Sequence, residues 1–215
     1  MLCDYAYLVW GLLELYAADF DAEILGEAIR INDRMLDIFW DDKNGGFFLT
    51  PIDGETLLIR PKEIYDGALP SGNSIALNNL LRLEHLTANS DFGAKAKLLV
   101  RAFSDNLLEV PSGYTQFLSS LSFALSPTTE VVIVGSPKAP DTLKMLSVMK
   151  KCFSPQIVTL LKDPNSDSKR LAALAPFTAN HTAIDGKATA YVCRNYSCKS
   201  PTTDPLQLKN LLWKE

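Results

Sequence analysis

A mainly α fold of helical hairpins followed by a small α/β unit is what this 215-residue sequence predicts. Three observations carry that expectation. Apolar residues recur at three- and four-residue spacing up to about Leu125. The connections between most of those runs are short enough to make successive helices antiparallel neighbours. Beyond Glu130, β-branched runs take over and alternate with helical pattern, the signature of a strand–helix–strand unit.

The first helix is expected after Asp4, a good N-cap, with Tyr5, Leu8, Val9, Leu12, Leu13 and Tyr16 on its apolar side. Asp21 caps a second, whose buried face is Leu25, Ala28, Ile29, Met35, Leu36 and Phe39. GGFFLT and ETLLIR then flank an Asp53-Gly54 turn, the pattern of a small β-hairpin. A third helix follows Asn73 and runs to about Thr87, a fourth spans about Asp91–Leu108, and Tyr114, Phe117, Leu118, Leu121 and Leu125 mark a fifth. EVVIV (Glu130–Val134) and QIVTLL (Gln156–Leu161) read as strands joined by a helix around Asp141–Lys151, with ATAYV (Ala188–Val192) as a third strand of a parallel sheet. Pro205–Trp213 closes the chain as a helix. The boundary falls near Ser126-Pro127, giving a helical domain over 1–125 and an α/β domain over 126–215.

Composition narrows the function. A formal net charge of −4 with no basic stripe argues against a nucleic-acid binder. The opening MLCDYAYLVWGLLELYAADF lacks a basic n-region and is interrupted by Asp4, Glu14 and Asp19, which excludes it as a signal peptide or membrane span. Four cysteines (Cys3, Cys152, Cys193, Cys198) in a chain of this size suggest a reducing compartment, so a cytoplasmic location is expected.

Three ordered stretches carry a resemblance: DYAYLVWGLLELYAADFD with FWDDKNGGFF, RPKEIYDGALPSGNS with LLRLEHLT, and KATAYVCRNYSCKSPTTDP. Together they resemble the C-terminal portion of the thioredoxin-domain-containing, spermatogenesis-associated protein family of bacteria and animals. The resemblance implies that the helical domain is part of an (α/α)6 toroid similar to N-acylglucosamine 2-epimerases and six-hairpin glycosidases. It also implies that the thioredoxin-like domain and about half the barrel lie outside this sequence. The helices here are too few to close such a ring, so an apolar helix face should be left exposed. That face predicts homo-oligomerisation or a partner supplying the missing half-barrel or a thioredoxin-like domain.

In a toroid of this kind alternate helices run parallel, which places Asp4 and the Glu63–Ser74 stretch around one mouth. Asp4 and Asp66 are the candidate catalytic carboxylates, with Glu63, Tyr65, Ser71, Asn73 and Trp10 as candidate ligand-binding groups for a small sugar. Sugar isomerisation, epimerisation or glycoside hydrolysis is the implied chemistry, and a non-catalytic docking module is the alternative. The plainer account of the same stretch is that Ser71 or Asn73 caps the third helix while Gly67, Pro70 and Gly72 shape the approach. His85 and His181 are expected to be structural or surface residues. No cofactor or metal is expected. WDDKNGG (Trp40–Gly46) departs from the EF-hand ligand order, and EVVIVGSPKAPDTLKML lacks a Gly-rich nucleotide fingerprint. Cys193 and Cys198 fit neither C-x-x-C nor a zinc set, so reduced structural thiols are expected. A redox role, exchange with a thioredoxin-like domain, is the alternative that the resemblance implies.

Overall fold

The computed structural model describes residues 1–152, 154–165, 168–194 and 197–213. Within them the chain is mostly helical with one small four-stranded sheet. It divides into two compact units, Met1–Glu84 with Asn89–Leu125, and His85–Ala88 with Ser126–Glu215.

In the first unit, α1 (Leu2–Asp19) and α2 (Ala22–Phe39) form an antiparallel hairpin. The turn is made by Phe20 at φ 60°, whose N–H donates to Tyr16 O, and by Asp21, whose carboxylate accepts the Glu23 N–H at 2.8 Å. Helix α1 starts earlier than Asp4 predicts. Leu2 is fully buried and its N–H donates to Leu49 O at 3.0 Å, so the first turn forms around it and Asp4 becomes the third helical residue.

Helix α3 (Gly72–Thr87) is the buried spine of this unit, with Ile75, Leu77, Leu80 and Leu83 all at most 1 % exposed. Its direction is fixed against α1 by three ordered contacts. A Cβ on Gly72 would come 2.8 Å from Leu2 Cγ, Asn79 Nδ2 donates to Ala6 O at 2.8 Å, and Arg82 pairs with Glu14 at 2.6 Å. Both sets of numbers ascend, so α1 and α3 are parallel. Helix α6 (Thr115–Leu125) follows the same direction, its first turn held by Asp66 beside Ser71 and its Ser120 Oγ donating to Ser74 O at 3.5 Å.

Two further local expectations fail in this unit. GGFFLT and ETLLIR do not pair as a hairpin. Asn73 takes both backbone groups of Phe47, Phe48 N–H donates to Phe39 O, and Arg60 takes Thr50 O, so the ladder groups are already used. The expected fourth helix is broken into α4 (Ser90–Ala102) and α5 (Ser104–Glu109). The break is Phe103, whose ring packs edge-on to Phe117 at 6.2 Å and so close to Gly46 that a Cβ there would meet it at 3.0 Å. Gly46 is also at φ +77°, so it satisfies the turn and the close approach at once.

The second unit is built on a sheet of order β2-β1-β3-β4. Strand β1 (Thr129–Val134) crosses through α7 (Pro140–Lys151) to β2 (Ile157–Lys162), and the two pair in parallel, as a strand–helix–strand crossover requires. Val131 to Val134 of β1 are 0–1 % exposed, as a central strand should be. Helix α8 (Ser168–Leu174), which the sequence pattern did not signal, precedes a short 3-10 turn at Pro176–Thr178. Strand β3 (Thr189–Arg194) corrects the expectation of an all-parallel sheet, since it pairs antiparallel with β1 and carries β4 (Ser197–Cys198) beside it. The long return from β2 brings β3 in from the opposite end, and strand pattern alone is blind to that direction. Helix α9 (Pro205–Trp213) packs on α7 and β3. Among the described residues no helix is long and apolar enough to cross a membrane.

Candidate functional site

The stretch from Glu63 to Ser74 is a junction of side-chain-to-backbone hydrogen bonds. Asp66 is buried, its Oδ1 accepts the Ser71 N–H at 2.9 Å, and its Oδ2 accepts the Gln116 and Phe117 N–H groups at 2.9 and 3.1 Å. It therefore caps α6 from a distance of fifty residues in sequence. Ser71 caps α3, its Oγ accepting the Ser74 N–H at 3.1 Å, while the two hydroxyls lie 2.9 Å apart. Asn73 is fully buried: its Oδ1 accepts the Phe47 N–H, and its Nδ2 donates to Phe47 O and Glu63 O. Of the two capping candidates in the sequence, Ser71 caps and Asn73 braces the neighbouring loop.

The remaining predicted residues face solvent or lie partly covered. Asp4 is exposed and bonds to the amino group of Met1 at 2.8 Å. No hydrogen bond joins Asp4 to Asp66, whose oxygens are engaged elsewhere. The Glu63 side chain is exposed, and only its carbonyl enters the junction. Trp10 Nε1 donates to Glu14 at 3.0 Å, and its ring tilts against Tyr7, whose hydroxyl donates to Pro70 O at 2.9 Å. Burial, then the nearby Cys3 and Asp66, push the Tyr7 phenol up, which keeps it a donor. Tyr65 is 60 % exposed and stands edge-on to Tyr114, with Gly113 close beneath its ring.

The WDDKNGG turn is a closed ion-pair site. Asp41 accepts the Lys43 and Asn44 N–H groups and the Asn44 amide, and it pairs with Lys62 at 2.6 Å. Burial alone would push the Asp41 carboxyl up, but Lys62 and the three N–H donors together hold it well below the usual carboxylate range. Lys62 thus takes the cation position at this carboxylate.

A second polar cluster, in the α/β unit, was not assembled from the sequence. His85 Nδ1 lies 2.8 Å from Glu130 Oε1, and Thr128 Oγ1 lies 3.3 Å from both. Glu130 is 2 % exposed, and its Oε2 is buried without a hydrogen-bond partner. A cavity of about 130 Å³ is lined by these groups with Phe177, His181, Cys193 and Cys198. His181 rests on the Tyr191 ring at 4.2 Å, and burial followed by the charge of Lys162 holds its imidazole below the ordinary value. Cys193 and Cys198 are joined as a disulfide, which corrects the expectation of reduced thiols. The antiparallel register sets the two residues directly opposite each other, a relation that their spacing alone did not reveal. Asn195 and Tyr196 of the CRNYSC motif lie outside the described residues.

Comparison with known proteins places the chain beside much longer relatives. It is 37% identical over 210 residues to spermatogenesis-associated protein 20 of Rattus norvegicus, matching 97% of this chain and 26% of that protein. The Homo sapiens protein of the same name is 36% identical over 210 residues, with 97% and 27% covered. An uncharacterised protein of Caenorhabditis elegans is 30% identical over 215 residues, covering 98% of this chain and 28% of its own length. The chain spans about a quarter of the length of the curated relatives it matches. No protein-family model matches it.

Proposed function

The chain belongs to the spermatogenesis-associated protein family, and on that premise we propose that its helical unit is one arc of an (α/α)6 toroid whose rim binds a small carbohydrate-like ligand. The observation that carries this reading is the parallel set α1, α3 and α6, alternate helices with their N-termini on one side. That side bears Tyr65, exposed and backed by Tyr114, a ring pair suited to stacking on the apolar face of a sugar. Glu63 and Asp4, both solvent-facing, are the carboxylates left to accept ligand hydroxyls, and Trp10, partly covered on α1, is the candidate indole.

Binding is favoured over acid–base catalysis by this stretch. Both Asp66 oxygens are held by backbone N–H groups, and glycoside hydrolysis asks for two carboxyl groups facing one bond. Asp66, Ser71 and Asn73 are then the framework of the rim, not its reactive groups. Calorimetric titration with mono- and disaccharides tests this. The expected result is saturable binding that Tyr65→Ala weakens by up to about tenfold, the worth of one aromatic contact. A folded protein that binds none of them, or equal affinity in Tyr65→Ala, overturns it.

A docking role is the second reading, and one surface favours it. Along α1, Leu8 and Leu15 are 50 % and 51 % exposed on either side of Gly11, where a Cβ would meet nothing within 4 Å. This is an apolar helix face fit for a barrel-completing partner, a second copy of the chain or a thioredoxin-like domain. Sedimentation of the wild type against Leu8→Asp separates the cases. A chain that is monomeric at all concentrations and binds no such domain ends the docking reading.

A further inference from the structure

The disulfide of the α/β unit is asymmetric in its surroundings. Cys193 lies on β3, is 4 % exposed and pairs in register with Glu130 across the sheet, whereas Cys198 on β4 is exposed. Cross-strand partners point to the same face, so the buried sulfur sits on the face that carries the Glu130 carboxylate, and both residues line the cavity with His85 and His181. A purely structural staple is a poor account of the bond. It closes a separation of only five residues between strands already paired, and short loops gain least from closure. Nor does a staple account for a carboxylate oxygen, Glu130 Oε2, buried beside it without a partner.

We propose that Cys193–Cys198 is a thiol–disulfide exchange site, in which a dithiol reductant attacks the exposed Cys198 sulfur and the Cys193 sulfur leaves into the cavity shared with Glu130, His85 and His181. The attacking thiolate forms a bond to Cys198 Sγ as the Cys198–Cys193 bond breaks, and the electron pair departs on Cys193. A proton from the cavity or solvent converts that thiolate to a thiol, next to a carboxylate with an unused acceptor. The second thiolate of the reductant then attacks its own mixed-disulfide sulfur and releases Cys198. The net exchange moves two electrons and two protons, leaving the reductant as a disulfide and the protein as a dithiol. Exposure sets the order of attack, because Cys198 is exposed while Cys193 is 4 % exposed.

Among the described residues, the titratable groups lining the cavity with Cys193 are Glu130 from β1, His85 from the end of α3 and His181 from the turn after α8. Lys162 of β2 lies behind that turn, donating to the carbonyls of Thr178, Ala179 and His181. A carboxylate beside a thiol disfavours the thiolate, so Glu130 acts as a positioning residue that holds the reduced Cys193 protonated.

The test uses the full chain with Cys3→Ser and Cys152→Ser, so that labelling reports on this pair alone. Native protein is treated with dithiothreitol, alkylated with a maleimide, and followed by mass spectrometry and circular dichroism. Expected is double labelling with the fold retained, and reformation of the bond in oxidised glutathione. In single variants, oxidised glutathione should modify Cys198 (in Cys193→Ser) at least tenfold faster than Cys193 (in Cys198→Ser). A pair that dithiothreitol reduces only after denaturation, or faster modification of Cys193, overturns the proposal. In the Cys198→Ser background, Glu130→Gln should move the pH profile of Cys193 modification by oxidised glutathione to lower pH, with the rate below the thiol pKa rising roughly three- to fourfold for each unit that pKa falls. An unchanged profile removes Glu130 from the role assigned here. The dithiothreitol and glutathione arms need no change at Glu130 and decide the exchange claim even if that variant does not fold.

Discussion

The Glu63–Ser74 junction and the cavity around Glu130 are both buried and polar, yet they differ in how their hydrogen-bonding capacity is used. In the junction, both Asp66 oxygens, the Ser71 hydroxyl and the Asn73 amide are engaged, mostly by backbone groups. At the cavity, one oxygen of Glu130 is tied to His85 and Thr128 while the other has no partner, and His181 Nδ1 is likewise buried without one. A saturated cluster of this kind fixes loops and helix starts and has nothing left to offer a substrate. An unsaturated one costs stability to keep, and such sites are where bound groups and proton chemistry tend to be found. The difference reverses the weight that the sequence gives the two regions, since the conspicuous motif is mainly architecture.

The sharpest way to break that contrast is Asp66→Ala. Three N–H groups, two of them opening α6, would lose their acceptor inside the protein. The expected loss is about 3 kcal/mol in urea denaturation, from a cap plus buried unsatisfied donors. A loss below about 1 kcal/mol would show the junction to be dispensable for folding. Asn73→Leu should follow at about 2 kcal/mol, because it strands the Phe47 N–H and two carbonyls while keeping the volume. Asn73→Asp tests whether donation or size matters, since it keeps the acceptor for Phe47 N–H and removes both donations.

Much of the architecture was legible because it rests on local pattern. The apolar periodicity of α1, α2, α3 and α6, and the β-branched runs of β1 and β2, each mark an element within one stretch of chain. What escaped was set by residues far away in sequence. Asn73 captures the Phe47 backbone from 26 residues off, and so the hairpin that Asp53-Gly54 advertises never forms. Phe103 breaks a helix because Gly46 and Phe117 leave room for its ring. The site divides the same way. Ser71 as a cap was readable from its place before an apolar run, whereas the His85–Glu130 contact joins residues 45 apart and carries no motif. Glu130 did leave one trace, a charged residue opening an otherwise apolar strand.

A pH series sharpens the comparison from the other side. His181 is held below its ordinary value of 6.5 by burial and by Lys162. Between that lowered value and 6.5 the unfolded chain binds more protons than the folded one, so the contribution of His181 to stability is full above 6.5 and falls as pH drops through this window. His181→Phe, which keeps the ring against Phe177 and Tyr191, should flatten the stability curve on the acid side of 6.5 and leave it little changed at pH 8. The same series on Asn73→Leu should show a uniform drop with no change in slope, because nothing in that contact titrates. Equal slopes in His181→Phe and wild type would remove the cavity's claim to be the proton-sensitive region.

The smallest expected effect belongs to Tyr65→Ala, and that smallness gives it its use. The ring is 60 % exposed and its main neighbours are Tyr114 and the backbone at Gly113, so truncation should cost no more than about 1 kcal/mol of stability. Asp66 lies one residue further on and is expected to cost several times as much, although it faces inward and touches no solvent-side ligand. A ligand-affinity loss in Tyr65→Ala without a stability loss would therefore separate the rim's surface from its framework. A stability loss as large as that of Asp66→Ala would mean that the tyrosine is itself part of the framework, and the ligand surface would have to be sought elsewhere.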